Sequence, residues 1–474
     1  MAKARFEFLG KQEIDRIHNA SMRVLEQVGI LVHSESTTDM LIKGGALRSK
    51  DGKRVLLPEP LVKESLKNAP RRVFLASRDK KNDITIPDND RVYVTNGGEG
   101  VYVTDLVTGE SHSATSEDLR NFALIVQDVP QADFFWPMVG ALEQPNRLKG
   151  IVELKVCLES TTKHIQAMAW TGEEVQLMVD MGSVVMGSPE ELAKRPIFSA
   201  VECPISPLTF EKGLVEAQVE FARAGIPVVA MSAAVAGLTS PITQAGTFAQ
   251  ITAENLASLV ISQVAKKGAP FIFSSDSNPG DLKAGSIDYG AIESTLMRTG
   301  MGQMGRYYGL PTMVSGIGLE NYSASLANIW EGVPMLVMQG IVPSDLASGF
   351  GGIDQATGAS LEQVLVDAWV WDIAREILRD FDTDDAAISF ETIREAGIDG
   401  NFLSKRHTFL RMKKEIASAT KPGAALANRY SGTEKGSVLK KAREEVKKIL
   451  KRPREPLVTS SESARMQAIV DRLK

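Results

Sequence analysis

From about residue 134 onward the chain repeats one pattern: a short apolar run, a polar turn, then an amphipathic helix. The runs FFWPMVGAL (134–142), HIQAMAW (164–170), PIFSAVECP (196–204) and PVVAMSAAV (227–235) are each followed by helical spacing, near 147–160, 173–185, 211–224 and 241–266. PFIFSSD (270–276), PTMVSGIG (311–318) and SDLASGFG (344–351) continue the series, with helices expected near 286–308, 322–338 and 358–380. Adding a strand near 101–105 and a helix at 116–127 makes eight units. Such alternation implies parallel strands joined by crossover helices. Eight near-equal units without a dinucleotide fingerprint favour a closed (β/α)₈ TIM barrel of the α/β class over an open doubly wound sheet.

Three regions are expected. Residues 1–90 read as an N-terminal α+β cap, with Ile14, Ile17, Val24, Leu25 and Val28 at helical spacing. Residues 91–400 read as the barrel. Its first part, RVYVTNGGEGVYVTDLVTG (91–109), alternates like paired strands around Gly97 and Gly98. ATSEDL (114–119) reads as a helix start with a Thr or Ser cap. Residues 401–474 read as a charged helical extension, typified by KKAREEVKKILKR at 440–452.

Composition narrows the partners. A net charge of −5 gives no footprint for nucleic acid or an anionic membrane surface. No apolar run approaches the ~20 residues of a membrane span, and MAKARFEFLG lacks a secretory apolar core, so a cytoplasmic location is expected. Two cysteines, Cys157 and Cys203, cannot build a disulfide framework. The five histidines are scattered with no metal-ligand spacing, so no metal site is expected. TGMGQMG (299–305) lacks the preceding strand of a nucleotide motif and reads as helix-packing glycines.

Barrel chemistry belongs to the C-terminal ends of the strands. Those ends carry Phe135, Trp136, Trp170, Glu202, Asp276, Asn278, Ser348 and Phe350, with Gly349, Gly351 and Gly352 beside the last. Aromatic faces near a carboxylate suit a quaternary ammonium, which offers no N–H donor and is held by cation–π attraction. Each aromatic also has a plainer reading as helix–sheet core, and Asp276 as a turn cap before Asn278-Pro279. Glu202, inside FSAVECPISP, is costly to bury without a partner. His164 opens a strand at the opposite, stabilising face and reads as structural.

IHNASMRVLEQVGILV, NAPRRVFLASRD, GGEGVYVTDLVTGESHSATSEDL, SDLASGFGGID and KRHTFLRMKKE together resemble the trimethylamine:corrinoid methyltransferase superfamily over nearly the whole chain. The nearer resemblance is to its branch without pyrrolysine, which includes glycine betaine:corrinoid methyltransferase. It implies a (β/α)₈ barrel that moves a methyl group from a quaternary amine to the Co(I) of cobalamin carried by a cognate corrinoid protein. No cofactor is expected to be bound permanently.

The trimethylamine enzymes carry pyrrolysine, whereas this chain uses only the twenty ordinary residues, which favours glycine betaine, proline betaine, carnitine or γ-butyrobetaine. Many members of the family have His where this chain has Ser348. Other expectations are a same-fold enzyme for another methylated amine or sulfonium, or a non-catalytic betaine-binding homologue. The resemblance leads us to expect a homo-oligomer with Gly349, Gly351 and Gly352 facing the corrinoid. Cob(I)alamin is a strong nucleophile and a quaternary ammonium leaves as a neutral amine, so no general acid is required. Positioning and water exclusion are what the chain must supply.

Overall fold

The computed structural model describes residues 7–88, 91–105, 107–315, 344–377, 381–415 and 437–473. Seven strands form one parallel sheet: β1 (Tyr93–Asn96), β2 (Ile165–Ala167), β3 (Phe198–Glu202), β4 (Val228–Ser232), β5 (Phe271–Ser275), β6 (Thr312–Ser315) and β7 (Leu346–Phe350). Their spatial order is β1-β7-β6-β5-β4-β3-β2. The segment around Phe135 closes the ring as the eighth stave. Phe135 bridges Ile165 in parallel, while the Asp133 N–H donates 2.7 Å to the Val94 carbonyl on β1. Pro137 has no N–H to continue a ladder, which fits the shortness of this stave. The barrel expected from the alternation is therefore present.

The eighth unit is not where the pattern placed it. Barrel strand β1 is Tyr93–Asn96, which pairs with β7, whereas Tyr102–Thr104 lies in a separate sheet with Ser111–Ser113 and Gly358–Ala359. Gly97 and Gly98 are therefore not the turn of a hairpin. The helix expected at 322–338 lies outside the described residues.

Side-chain alternation sorts the barrel. Val201, Val229, Met231, Ile272, Met313, Leu346, Phe134 and Trp136 share one inner cluster. Phe198, Ala200, Ala347, Phe135 and Ile165 point outward into the helix layer, as period-two alternation requires. The inner cluster also contains Val73, Leu75, Ile84 and Ile86 of the antiparallel hairpin Val73–Leu75/Ile84–Ile86, which plugs the N-terminal end. The helices Lys11–Arg23 and Glu59–Asn68 pack on the long helix Gln244–Ala265.

At the other end of the chain, Ser437–Lys451 packs on Leu361–Ile377 and Ser460–Asp471 on Gly172–Met186. Their buried stripes include Ala442, Val446, Met466 and Ile469, so the charged tail contributes apolar packing to the helix ring. Among the described residues no helix is long and apolar enough to cross a membrane.

His164 sits at the plugged end, fully buried. Its Nδ1 lies 2.9 Å from the Ala76 carbonyl and its Nε2 3.0 Å from the Ser199 hydroxyl. A carbonyl can only accept, so Nδ1 carries the proton and Ser199 donates to Nε2. Burial pushes the imidazole down to about 4. The unfolded chain titrates near 6.5. Neutral His164 therefore contributes stability that is complete above ~6.5 and lost as pH falls toward the folded value. Replacing it with Gln should remove roughly 2 kcal/mol of the stability difference between about pH 7 and about pH 5. Urea midpoints at both pH values test this, and parallel losses in both proteins would refute it.

Candidate active site

The strand ends opposite the plug form the mouth. Inward alternation from Val201, Ile272, Met313 and Leu346 turns Cys203, Ser274, Asp276, Ser315 and Ser348 toward it, with Trp136 and Met168 on the adjoining staves. Ser315 and Ser348 are register partners on β6 and β7. Two small sheets border this face. One is Val235–Ala236/Asn278–Asp281/Ser286–Ile287; the other is Gly352–Ile353/Gly358–Ala359/Tyr102–Thr104/Ser111–Ser113.

Arg298, on helix Ile292–Tyr307, is the largest fully buried side chain among the described residues and lies at this mouth, 2% exposed. Its Nε donates to the Ser315 hydroxyl at 3.0 Å and its Nη2 to Asn278 Oδ1 at 2.8 Å. Asn278 in turn donates to the Asp276 carbonyl at 2.9 Å, and the Tyr289 hydroxyl donates to Asp276 Oδ2 at 3.1 Å. Burial raises the Asp276 carboxyl, opposed by the Arg298 guanidinium and by hydrogen bonds from Ser315, Tyr289 and Asn278. Burial also lowers Arg298, opposed by Asp276 and Tyr289. A desolvated guanidinium costs several kcal/mol unless opposed and hydrogen-bonded, so this network is an organised polar floor. Cys203 beside it is pushed up to about 12 by burial, then by Glu202, Asp276 and Glu99, and stays a thiol.

Trp136 forms the apolar side of the mouth. Asn96 holds its backbone at both ends, accepting from the Trp136 N–H at 3.3 Å and donating to its carbonyl. The indole lies against Gly98, where a Cβ would come within 2.3 Å of ring atom Cε2. At the mouth, Trp136 Nε1, Ser274 Oγ and Asp276 Oδ1 are buried polar atoms with no hydrogen-bond partner among the described residues. Buried polar groups are normally satisfied, so a cluster of such atoms at a barrel mouth marks a polar ligand site.

The eight expected substrate residues separate. Trp136, Asp276, Asn278 and Ser348 meet at the mouth. Phe135 is fully buried in the outer helix–sheet core by parity. Phe350 joins that core because the register shifts between Ala347 and Phe350, so it does not follow Ser348 in alternation. Trp170 is 42% exposed and lines a lateral groove of about 550 Å³ with Arg147, Thr171 and Glu173. Lys149 Nζ lies 5.8 Å from its ring centroid.

Glu202 alternates outward, with both oxygens buried and unpartnered among the described residues. Burial and then Glu174 push its carboxyl well above the ordinary carboxylate range. Glu174 and Glu99, raised by burial to about 7 and about 8, extend the same acidic shelf. Of the glycines, Gly349 is partly exposed, whereas Gly351 and Gly352 are buried. A Cβ on Gly351 would strike Val364 at 2.4 Å.

Arg298 was not among the expected residues. The available signal was its helical face: 298, 301 and 305 share one side with the buried Met301 and Gly305, so a lone Arg there had to be buried. Tyr289 gave no such signal, since its position follows from the loop after β5.

The family described as trimethylamine methyltransferase (MTTB) matches residues 2–474, and the chain belongs to it. A trimethylamine methyltransferase MttB of Desulfitobacterium hafniense (strain DSM 10664 / DCB-2) is 28% identical over 407 residues, 86% of this chain and 82% of that protein. MttB2 of Methanosarcina mazei is 28% identical over 468 residues, 97% and 94% of the two chains. The glycine betaine methyltransferase of Desulfitobacterium hafniense (strain Y51) is 25% identical over 420 residues, covering 88% and 86%. Among solved structures, the monomethylamine methyltransferase MtmB of Methanosarcina barkeri shares the fold with a TM-score of 0.55 at 8% identity, covering 94% of this chain and 89% of that one.

The Gly98–Trp136 contact is directly testable. Gly98→Ala forces a ring rather than a flexible side-chain end to move, at a cost of about 1–3 kcal/mol. The chain should still fold while its tryptophan emission shifts and turnover falls at least about tenfold. Wild-type emission and rates would show that Trp136 is not held by this contact.

Proposed function

We propose that this chain demethylates a carboxylate-bearing quaternary amine of the betaine type and passes the methyl group to a corrinoid presented by a partner protein. The observation that carries the reading is Arg298: a buried guanidinium at the mouth, fixed by Asn278 and Ser315 at the β5–β6 side, with Trp136 on the stave opposite in the strand order. A guanidinium is the preferred partner of a carboxylate, and an indole face that of a methylated ammonium. Both ends of a betaine are thus answered within one site. Family membership supports methyl transfer, and a relative named for glycine betaine together with a sequence of ordinary residues only supports the betaine.

The residues divide the work simply. Arg298 and Ser315, with Ser348 beside them, would orient the carboxylate. Trp136 would set one methyl group toward the open end. The corrinoid, when presented, supplies the nucleophile that accepts the methyl group. Gly349, partly exposed and without a side chain, would permit a close approach.

No proton transfer is asked of the chain, since the amine departs neutral. Carboxyls raised by burial near the mouth, Glu99 and Asp276, fit that demand. A full set of carboxylates would bind the ground-state cation more tightly than a transition state in which the charge is leaving. Asp276, held part-way by Arg298, is the balancing acid.

A panel of glycine betaine, proline betaine, carnitine, γ-butyrobetaine, choline and trimethylamine with cob(I)alamin gives the test. Loss of Co(I) absorbance together with appearance of the demethylated amine should occur for at least one betaine and be weak for choline. Arg298→Met should lower kcat/KM for the betaine by on the order of 10²-fold while leaving choline nearly unchanged. Turnover of trimethylamine alone, in line with the names of the 28% identical relatives, would instead favour a tertiary-amine enzyme. Silence across the panel would overturn the proposal.

A further inference from the structure

β7 carries Ser348 to the mouth, and the register shift between Ala347 and Phe350 then turns the chain over the barrel lip through Gly349 and Gly351, whose φ angles are +139° and +84°. Having left the ladder, Gly351 needs partners for its N–H and its carbonyl from outside the sheet. Both come from the helix side. The N–H donates to Asp367 Oδ2 at 2.8 Å, and the carbonyl accepts from the Ser360 N–H at 3.0 Å. The preceding Phe350 carbonyl accepts from the Gly97 N–H at 2.9 Å, next to the Gly98 that cradles Trp136. The lip thus joins the strand that carries Ser348 to the cradle of Trp136.

Asp367 lies on helix Leu361–Ile377, 1% exposed, and its other oxygen accepts from Gln363 Nε2 at 2.7 Å. Burial pushes the carboxyl up to about 8, opposed by the Gly351 N–H and by Gln363. Among the described residues no cation ranks with these influences, so the desolvation is offset by hydrogen bonds alone. An apolar residue would be less costly to bury here but would leave the Gly351 N–H unpaired. The start of the helix is itself anchored. Glu362 accepts from the Ser360 hydroxyl at 2.9 Å and pairs with Arg443 Nε of helix Ser437–Lys451 at 3.3 Å. Asp367 therefore reaches the lip from a fixed support.

Resting on the betaine reading above, we propose that Asp367 is a positioning residue: its side chain fixes Gly351 and so sets Ser348 and Gly349 at the height where substrate carboxylate and corrinoid are met. Asp367→Ala should speed hydrogen exchange across 346–353 and lower turnover of the best betaine at saturation, each at least about tenfold. Asp367→Asn should restore both to within about threefold of wild type, because its amide oxygen still accepts from Gly351. Its amide N–H can turn to Gln363 Oε1, which is buried without a partner among the described residues. Val370→Ala, a core truncation on the same helix, should lower the urea midpoint yet keep wild-type turnover. If Asp367→Ala does not fold, Asp367→Ser replaces it, since that side chain is too short to reach Gly351. Unchanged exchange or unchanged turnover in the truncated variant, an Asn variant equally impaired, or an equal loss of turnover in Val370→Ala would each overturn the proposal. A wild type silent across the substrate panel would instead overturn the betaine reading, and exchange across 346–353 would still show whether Asp367 holds the lip.

Discussion

A closed parallel barrel commits every second side chain of each strand to its interior, and the other residues to the helix ring. Here the interior is filled from the plugged end by the 73–75/84–86 hairpin and by Val229, Ile272, Met313 and Leu346. Only the last inward position on each stave remains for polar chemistry. Cys203, Asp276, Ser315 and Ser348 occupy those positions, and Trp136 closes the apolar side. The same rule sends Phe135 and Glu202 outward, however well their residue types suit a cation. The register shift before Phe350 adds it to the outward set.

A buried guanidinium is the strongest consequence of this arrangement. Arg298 enters from a helix rather than a strand, so it lies outside the alternation and beneath the mouth. Its cost is offset by Asn278, Ser315 and the nearby Asp276 and Tyr289, which together hold the guanidinium in place. The chain's own supports thus position the site before any ligand arrives, and that preorganisation is what methyl transfer without proton transfer demands.

The barrel was legible in the sequence because its apolar runs and helices repeat with near-equal spacing, and seven of the eight staves fall where that spacing puts them. The first stave was not, because Tyr93–Asn96 and Tyr102–Thr104 alternate equally well and only pairing with β7 separates them. Among candidate residues, Trp136, Asp276, Asn278 and Ser348 were readable as strand ends. Phe135 and Phe350 were not separable from them, since one position of register or a single bulge reverses a side chain's face. Arg298 was hidden for another reason. Its role depends on a helix folding over a strand end seventeen residues away in the chain, and local spacing reports only that it is buried.

The central claim is that the mouth binds a betaine with its carboxylate on Arg298 and its methylated nitrogen against Trp136. An experimental structure of the protein with its best betaine substrate tests it most directly. The account predicts ligand density at the ends of β5, β6 and β7, with a carboxylate oxygen within hydrogen-bonding reach of Arg298 and a methyl group pointing out of the mouth. Density in the lateral groove beside Trp170 and Lys149, or a carboxylate turned away from Arg298, would contradict it.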